Sequence, residues 1–490
     1  MPAATPPSSS VSSVFLPPSA PTAPPSAPAP AYQLTSQYAS WTFAPSTLAA
    51  LRQSAWSAAR DRLAQQWADE LALSPGASQP VYPSHEALQL LVTSYLAKLR
   101  GLTKVLGVPE VVEEYAATYL KRYYVRKSEL EGDVRGVMLT CVYLSLKSTS
   151  HALPLSRFAS LLAGRGANAH SVASEIESSV RALEFGVADA LGWELVLHTP
   201  GEALKGLILD LQTLEPSPLP LLRKLLPRAQ ALLALARLTR LELSYSASHI
   251  ALACLRSAGS GEAEAMEQEA HDLVRRWLEA KEEAARKAGE AQRREKAEWR
   301  AKQAARQQKK NGEASSPTAL GEDAISTSSP LGLSLSAILD LLERISEAIF
   351  AQEERAREAK ANAPEGSKGP FVVDIEEVRR IDAELKACGD PEGKEGSALN
   401  KRKRQAEEEA LASKRARKAE AVKAASGPDP FGSAPLLAPS LGDALDAGGK
   451  EEGSGGGGLF GREIERRKKQ EKQGVDSDED VPMLAGAVQK

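Results

Sequence analysis

The feature that most constrains the fold is a long series of apolar patterns with helical spacing between Pro83 and Trp277. Within each pattern the apolar residues recur every three or four positions, which places their side chains on one face of an α-helix. No stretch of alternating apolar and polar residues interrupts the series, so a β-sheet is not expected. The sequence therefore predicts an all-α fold. The first pattern consists of Leu88, Leu91, Val92, Tyr95, Leu96 and Leu99.

The helical patterns fall into two groups, which indicates two similar lobes in tandem. The pattern at 133–147 is apolar nearly all round, as a helix surrounded by other helices must be. In the second group, 249–255 resembles 136–142, and both segments are rich in small residues that permit close helix approach. The first group predicts helices at 84–102, 109–124, 133–147, 154–163 and 171–193, and the second predicts them at 200–214, 219–241, 246–257 and from about 261.

Composition separates these lobes from their flanks. Only two aromatic residues, Phe431 and Phe460, follow residue 371, so the end of the chain lacks the large side chains that a core needs. The stretch 281–310 has eleven basic and five acidic residues, with Glu and Arg or Lys paired four positions apart as on a solvated helix. The predicted organisation is a disordered Pro/Ala/Ser-rich tail (1–31), an N-terminal helix region (32–82), a first lobe (83–198), a second lobe (199–280), a charged helix and linker insertion (281–332), a closing helix and a C-terminal helix (333–388), and a disordered tail with basic clusters (389–490).

Several classes of protein are excluded by what the sequence lacks. Cys141, Cys254 and Cys388 lie too far apart for a disulfide scaffold or a CxxC zinc site, and suit a reducing compartment. No apolar run approaches the length of a membrane span. A signal peptide would require a basic residue near its start, and here no Lys or Arg precedes Arg52. The sequence thus predicts a soluble, intracellular protein without a membrane partner.

No motif for catalysis is found. The chain has no phosphate-binding loop, no GxSxG elbow and no HExxH pair, and its six histidines are scattered singly. Cys141 and Cys254 sit inside apolar helices, where a thiol behaves as a small hydrophobic group. We therefore expect a protein that is not an enzyme, with no cofactor and no metal.

Two basic clusters in the C-terminal tail have the spacing of a bipartite nuclear-import signal. A generic solvated basic run or a nucleic-acid-binding tail is the alternative. The clusters are Lys401, Arg402, Lys403 and Arg404, followed by Lys414, Arg415, Arg417 and Lys418.

Three serines are candidates for phosphorylation. Ser316 and Ser329 each precede a proline, and Ser477 lies in Asp-Ser-Asp-Glu-Asp.

Five short segments of the sequence resemble the cyclin family, and most closely its H-type members, because they occur in the same order and with the same spacing. The resemblance covers about residues 36–260, and it implies that the helix at 335–352 is the last helix of the second lobe. On this basis 281–332 is an insertion longer than the family usually carries. The segments that carry the resemblance are 36–43 (SQYASWTF), 119–124 (YLKRYY), 138–147 (MLTCVYLSLK), 204–211 (LKGLILDL) and 246–252 (SASHIAL).

The resemblance implies tandem lobes of five helices each and a regulatory rather than catalytic role. Such a cyclin binds and activates a cyclin-dependent kinase of the CDK-activating kinase type, together with a RING-finger assembly subunit and the other components of TFIIH. The implied substrates are kinase activation loops and the C-terminal repeats of RNA polymerase II, and the implied location is the nucleus. Direct nucleic-acid binding is not expected.

The family's two polar anchors for the kinase fall on Lys147 and Glu184. Such groups can form charge-assisted hydrogen bonds with the end of a partner helix. The structural alternative is that Lys147 only caps a helix C-terminus and that Glu184 pairs with Arg181. Ser148 and Thr149 follow the lysine, where the family usually has acidic residues.

Three rival interpretations follow from the same sequence. A TFIIB-like DNA-binding factor has the same double-lobed fold, but it begins with a zinc ribbon, and here no Cys precedes Cys141. A coiled-coil scaffold built on 281–310 would need a sustained apolar seam, which is missing. Another transcriptional cyclin, C-like or K-like, is the nearest alternative, and the Trp41-Thr42-Phe43 opening favours the H type.

Overall fold

The computed structural model describes residues 31–74, 78–261, 263–311, 333–362, 372–394 and 396–425. Residues 1–30 of the predicted 1–31 tail and the candidate phosphorylation sites Ser316, Ser329 and Ser477 lie outside these ranges. Within them the structure contains helices and no strand, which confirms the all-α class. The α-helices are α1 Ser36–Trp41, α2 Pro45–Leu73, α3 His85–Leu106, α4 Glu110–Arg126, α5 Val134–Ser148, α6 Leu155–Ala163, α7 Ala169–Ala190, α8 Pro200–Leu211, α9 Leu219–Ala236, α10 Ala247–Arg256, α11 Glu264–Asn311, α12 Leu335–Ala361, α13 Ile375–Cys388 and α14 Ala398–Ala425.

Short polar side chains fix where several of these helices begin. The first backbone N–H groups of a helix have no partner within the helix, so a preceding Ser, Thr or Asp that accepts a hydrogen bond from one of them stabilises the start. Asp133 accepts from two N–H groups at the start of α5. The other residues with this role are Ser84 before α3, Thr199 before α8, Ser246 before α10 and Ser334 before α12.

The first core is built around α5, whose residues from Gly136 to Leu146 are all buried. Helices α3, α4, α6 and α7 surround it, and α13 packs on α3 from outside with Ile381 and Leu385. At Gly136 the approach between α5 and α7 leaves no room for a side chain, because a Cβ there would lie 2.7 Å from Oγ of Ser179. The small residues of this helix therefore permit the close packing that the sequence predicts.

The second core contains α8, α9 and α10, the first turns of α11, and α12. Leu273 and Leu278 of α11 are buried in it, as are Leu342 and Ile345 of α12. The helix at 335–361 therefore closes the second core, although about twenty residues of sequence separate it from α11.

The structure corrects the predicted division at residues 280 and 281, because α11 runs without interruption from Glu264 to Asn311. Its apolar face ends near Leu278, and that loss of periodicity is what suggested a boundary. The backbone continues because alanine and ion pairs four positions apart favour the helix without any core. One such pair joins Arg286 and Glu290, whose nitrogen and oxygen lie 2.8 Å apart.

A second correction concerns the C-terminal segment, since 398–425 forms α14 and was expected to be disordered. Its residues are rich in Ala, Glu, Lys and Arg, which are good helix formers. The carboxylate of Glu70 accepts hydrogen bonds from the N–H groups of Ala398 (2.7 Å) and Leu399 (2.8 Å). These two bonds hold the pKa of Glu70 below its usual value and cap the start of the helix.

The N-terminal helix α1 lies at the junction of the two lobes. Trp41 is buried there with Val125 and Leu243, and its indole N–H donates to Glu194 (2.6 Å). The backbone N–H of Phe43 donates to the carbonyl of Leu243 (2.8 Å), which ties the N-terminal segment to the second lobe. The opening residues of the family resemblance thus have a structural role, because they fasten the lobes together.

Buried ion pairs also join the lobes. Lys121 of α4 is fully buried and bonded to Glu242, which follows α9. Arg237 at the end of α9 contacts Glu113 (2.9 Å) and Glu114 (3.5 Å) of α4. Burial of such charges is tolerated only when each has a partner, so these contacts specify how the lobes meet.

Candidate partner-binding surface

The structure brings the two sequence-predicted anchors together on the first lobe. Lys147 lies in the last turn of α5, and its ammonium group bonds directly to the carboxylate of Glu184 on α7. The two side chains remain 44% and 30% exposed, so both can still reach a partner molecule. The ammonium nitrogen also lies 4.5 Å from the centre of the Tyr143 ring, one turn earlier on α5, in a cation–π contact.

The alternative pairing of Glu184 with Arg181 does not occur. Arg181 instead bonds Glu177 one turn earlier on α7, with a nitrogen–oxygen distance of 2.6 Å. Lys147 does lie in the last turn of its helix, where the helix dipole favours a cation. The pair with Glu184 is nevertheless a contact between two helices, which sequence spacing within one helix cannot reveal.

Two large aromatic side chains that the sequence analysis did not single out are exposed beside this pair. Phe185 follows Glu184 on α7 and is 70% exposed, while Trp193 in the turn after α7 is 57% exposed. Their ring centres lie 5.6 Å apart in an edge-to-face arrangement. Aromatic residues are enriched at the centres of protein interfaces, and an exposed pair of them marks a candidate contact site. Their exposure, rather than any sequence signal, identifies them.

A regular helix ending holds Trp193 in place. Gly192 has φ +64° and Trp193 has φ +60°, a left-handed conformation that is unusual for a residue with a side chain. The N–H of Gly192 donates to the carbonyl of Asp189 (2.8 Å) and that of Trp193 to the carbonyl of Ala188 (3.0 Å). This pair of bonds is a Schellman motif, and it directs the indole outward from the end of α7.

Two tyrosines of α4 anchor the segment that follows. The hydroxyl of Tyr119 donates to the carbonyl of Leu195 (2.5 Å) and bonds Oγ of Ser148 (2.8 Å). The hydroxyl of Tyr115 donates to the carbonyl of Leu197 (3.0 Å). Burial raises the pKa of Tyr119, so its hydroxyl stays protonated and can donate. Ser148 stands where the family usually has an acidic residue, and here its hydroxyl bonds Tyr119 within the first lobe.

The remaining candidates for chemistry lie in structural positions. Cys141, Cys254 and Cys388 are free and buried, and burial raises the pKa of Cys254 to about 12 and that of Cys388 to about 11, so neither is a reactive thiolate. In the described part of the chain, no cluster of His, Cys, Asp and Glu could hold a metal ion. None of the helices in the described ranges has the length and apolarity needed to cross a bilayer.

The basic clusters lie on α14, and all eight of their side chains are exposed. The first cluster, at 401–404, lies in the opening turns of the helix, where Lys403 is 3.4 Å from a carboxylate oxygen of Glu392. The second cluster, at 414–418, lies further along the same helix. Exposure of this kind is what a receptor for basic segments requires.

Comparison with known proteins agrees with this architecture. Residues 199–349 match the model of the cyclin C-terminal domain, a range that holds the second core together with the segment before α12. The chain is 30% identical over 186 residues to a probable cyclin-H of Echinococcus multilocularis, an alignment that covers 37% of this chain and 53% of the relative. It is 25% identical over 187 residues to cyclin mcs2 of Schizosaccharomyces pombe, covering 37% of this chain and 55% of that protein. The chain therefore contains a cyclin C-terminal domain and is similar to H-type cyclins.

A solved structure shows the same fold. A chain in the CAK complex of Chaetomium thermophilum bound to ATP-gamma-S superposes with a TM-score of 0.53 at 21% identity, covering 77% of this cyclin and 94% of that chain. The alignments span about half the length of the curated relatives. Cyclins are regulatory subunits of kinases and not enzymes. In this chain the candidate site is an exposed surface on the first lobe.

Proposed function

We propose that this cyclin binds and activates a cyclin-dependent kinase of the CDK-activating type. The observation that carries the proposal is the exposed surface formed by Lys147, Glu184, Phe185 and Trp193 on the first lobe of a chain similar to H-type cyclins. The aromatic pair offers apolar area to a helix of the kinase, and the ion pair offers polar groups to the end of that helix. Binding there turns the kinase helix inward, so that its Glu reaches the Lys that positions ATP.

The ion pair between Lys147 and Glu184 can exchange its internal bond for bonds to the kinase, because it is only partly buried. Partners at 44% and 30% exposure are still solvated, so breaking or sharing their bond on binding costs little. Lys147 can then donate to carbonyl groups and Glu184 can accept from N–H groups of the kinase. A helix end presents groups of these kinds without partners of their own.

The wider assembly belongs to the same proposal. Similarity to a probable cyclin-H and to cyclin mcs2 supports a complex with a RING-finger assembly subunit and TFIIH. The substrates would then be activation loops of other cyclin-dependent kinases and the C-terminal repeats of RNA polymerase II. A C-like or K-like cyclin, which would bind a different transcriptional kinase, is the second candidate.

Reconstitution with charge-swap variants tests the proposal. The purified full chain is mixed with an inactive kinase subunit of the CDK-activating type, and phosphorylation of a polymerase C-terminal-repeat peptide is measured. Wild type should stimulate the kinase, and Lys147→Glu or Glu184→Lys should reduce stimulation about tenfold, because each places a like charge against the kinase. Glu177→Lys is the matched control, since it makes the same charge change two turns earlier on α7, at a residue that pairs with Arg181.

The double swap Lys147→Glu/Glu184→Lys separates an interface from a structural pair. It restores the bond within the cyclin but reverses both charges that the kinase would meet, so stimulation should stay low. Full recovery in the double swap would show that the pair only supports the lobe and would overturn the site assignment. No complex between wild type and this kinase would overturn the choice of kinase, and the other transcriptional kinases would be tested next.

We further propose that the basic clusters of α14 direct the cyclin to the nucleus. Eight exposed basic side chains in two groups support the proposal. In cells, a fluorescent fusion of the full chain should lose nuclear accumulation when both clusters are changed to alanine. The control changes Arg379 and Arg380, exposed basic residues of α13, and should leave accumulation intact. Unchanged accumulation after loss of both clusters would contradict the proposal.

A further inference from the structure

A cleft lies between the two lobes, away from the proposed kinase surface. It is a cavity of about 740 Å³, walled by α2, the start of α3, the turn after α9 and the middle of α12. A second cavity of about 420 Å³ shares Glu86, Gln89, Thr239, Arg240 and Ala348 with it and continues between α3 and α12. Together they form an elongated trough along the junction of the lobes. Lys147, Glu184, Phe185 and Trp193 do not line it.

The charge of the trough is strongly positive. Arg52, Arg240 and Arg344 line the first cavity, and Arg240 and Arg355 line the second. Among the described residues Glu86, which lines both, is the one acidic residue of the lining. The first turn of α3, which contributes His85 and Glu86, adds the positive end of a helix dipole. Arg52 is paired with Glu129, so Arg240, Arg344 and Arg355 are the cations set against Glu86, and this excess of positive charge favours an anion.

Three deeply buried side chains of the trough carry polar atoms without a hydrogen-bond partner among the described residues. These atoms are Nε of Arg52, Nδ1 of His85 and Nε2 of Gln352. The residues are only 5%, 8% and 4% exposed. A buried polar group without a partner costs about 1–3 kcal/mol, so such groups are normally retained for a reason. The three atoms have almost no solvent-accessible area of their own, so a ligand in the trough would reach them only after the neighbouring side chains moved.

Arg240 is a poorly compensated cation at the centre of the trough. Its side chain donates to Oε1 of Gln89 at 3.4 Å, and in the described part of the chain it forms no ion pair within 4 Å. By contrast Arg52 contacts Glu129 at 3.2 Å. Burial and the nearby charge of Arg52 lower the pKa of Arg240 to about 9, and the same causes lower the pKa of His85 to about 4. An anion between these groups would relieve the repulsion that lowers both values.

We propose that this trough binds a phosphorylated serine or threonine of an extended peptide segment from a partner protein. Arginine forks match the oxygens of a phosphate group, and Arg240 and Arg344, which line the same cavity, suit a dianion better than a single carboxylate. The two cavities, of about 740 and 420 Å³, share lining residues and so offer adjoining space to successive residues of one peptide, and the amides of Gln53 and Gln89 can bond its backbone. Tyr245 is the one aromatic residue lining the trough, so there is no series of rings on which successive bases of a nucleic acid would stack.

The test uses the full-length cyclin and three probes. The first is a heptapeptide library with a central phosphoserine and randomised flanks, the second has serine at the centre, and the third is inorganic phosphate. Retention of the phosphoserine library should exceed that of the serine library about tenfold, and millimolar inorganic phosphate should compete. Equal retention of the two libraries would overturn the proposal. Competition by phosphate without preferential retention of the phosphopeptides would reduce the trough to a site for small anions.

Charge-removing variants locate the binding. Arg240→Gln and Arg344→Gln should each reduce retention of the phosphoserine library about fivefold or more. Arg223→Gln on α9 is the control, because Arg223 is exposed and lines neither cavity. An equal loss in the control would show that binding follows overall charge and would contradict the site. Arg344 is exposed and should not be needed for folding, so it keeps the test valid if Arg240→Gln is unstable.

An oligonucleotide probe and the kinase assay complete the design. Tighter binding of single-stranded DNA than of the phosphoserine library, lost in the same variants, would replace the peptide with a nucleic acid. Stimulation of the kinase by Arg344→Gln should equal that of wild type when no phosphopeptide is present. The experiments therefore distinguish a failure of the phosphopeptide proposal from a failure of the kinase-binding proposal.

Discussion

Gly136 illustrates how a single residue sets the distance between two central helices. A Cβ at this position would lie 2.7 Å from Oγ of Ser179, 3.0 Å from Cδ1 of Leu183 and 3.0 Å from Oδ2 of Asp133. The first two contacts would force the side chains of Ser179 and Leu183 on α7 to move, and the third would disturb the side chain that caps α5. Glycine is normally unfavourable inside a helix, so its presence here reflects packing.

The change Gly136→Ala should therefore destabilise the cyclin. Forcing an extra carbon into a packed interface costs about 1–3 kcal/mol, and this should outweigh the gain in helix propensity. Urea unfolding of the full chain measures the difference. The matched control is Gly101→Ala, which places the same carbon on α3 with nothing within 4 Å and should leave stability unchanged or raise it by up to about 1 kcal/mol. Equal effects of the two changes would contradict the packing explanation.

Helix positions follow closely from sequence, whereas some helix ends do not. The five predicted helices of the first lobe all occur, because apolar spacing and N-terminal caps are local signals. The C-terminal half of α11 and the whole of α14 are different, since alanine and paired charges can form a helix with little core beneath it. A stretch rich in Ala, Glu, Lys and Arg can be either a disordered tail or a solvated helix, so its composition does not distinguish the two. Glu70, which is distant in sequence, caps the start of α14 and thereby favours the helix.

The whole molecule depends on buried charges at the junction of its lobes. Lys121 and Glu242 are separated by 121 residues in sequence, yet each is nearly inaccessible to solvent. Burial lowers the pKa of Lys121, and the charge of Glu242 opposes that effect. The partners of Arg237 form a second set of contacts between the same two elements, α4 and the end of α9. The lobes therefore have one favourable way to pair these charges.

Loss of one partner should cost far more than loss of both. Glu242→Gln leaves the ammonium of Lys121 buried without its counter-charge, and we expect the free energy of unfolding to fall by about 3–5 kcal/mol. The double change Lys121→Met/Glu242→Leu removes both charges and should recover most of that loss, because apolar groups need no partner. Denaturant unfolding at neutral pH measures both variants. A double variant less stable than Glu242→Gln alone would show that the pair itself, and not the avoidance of an unpaired charge, supplies the stability.

The sequence by itself determined the all-α class, the helices of both lobes and the similarity to cyclins. Each of these depends on local periodicity, on caps, or on the order of short segments. It also indicated Lys147 and Glu184, but only through the family resemblance, since an isolated lysine or glutamate gives no sign of its partner.

Only the tertiary structure decided which distant residues meet. It paired Lys147 with Glu184 across 37 residues, exposed Phe185 and Trp193 beside them, and buried Lys121 and Arg237 between the lobes. It also gathered Arg52, His85 and Arg240 into one positive trough. The physical reason is that the residue type alone does not show whether a charged or aromatic side chain is solvated or buried. Its energy, and with it its role, is set by neighbours that helix packing brings from elsewhere in the chain.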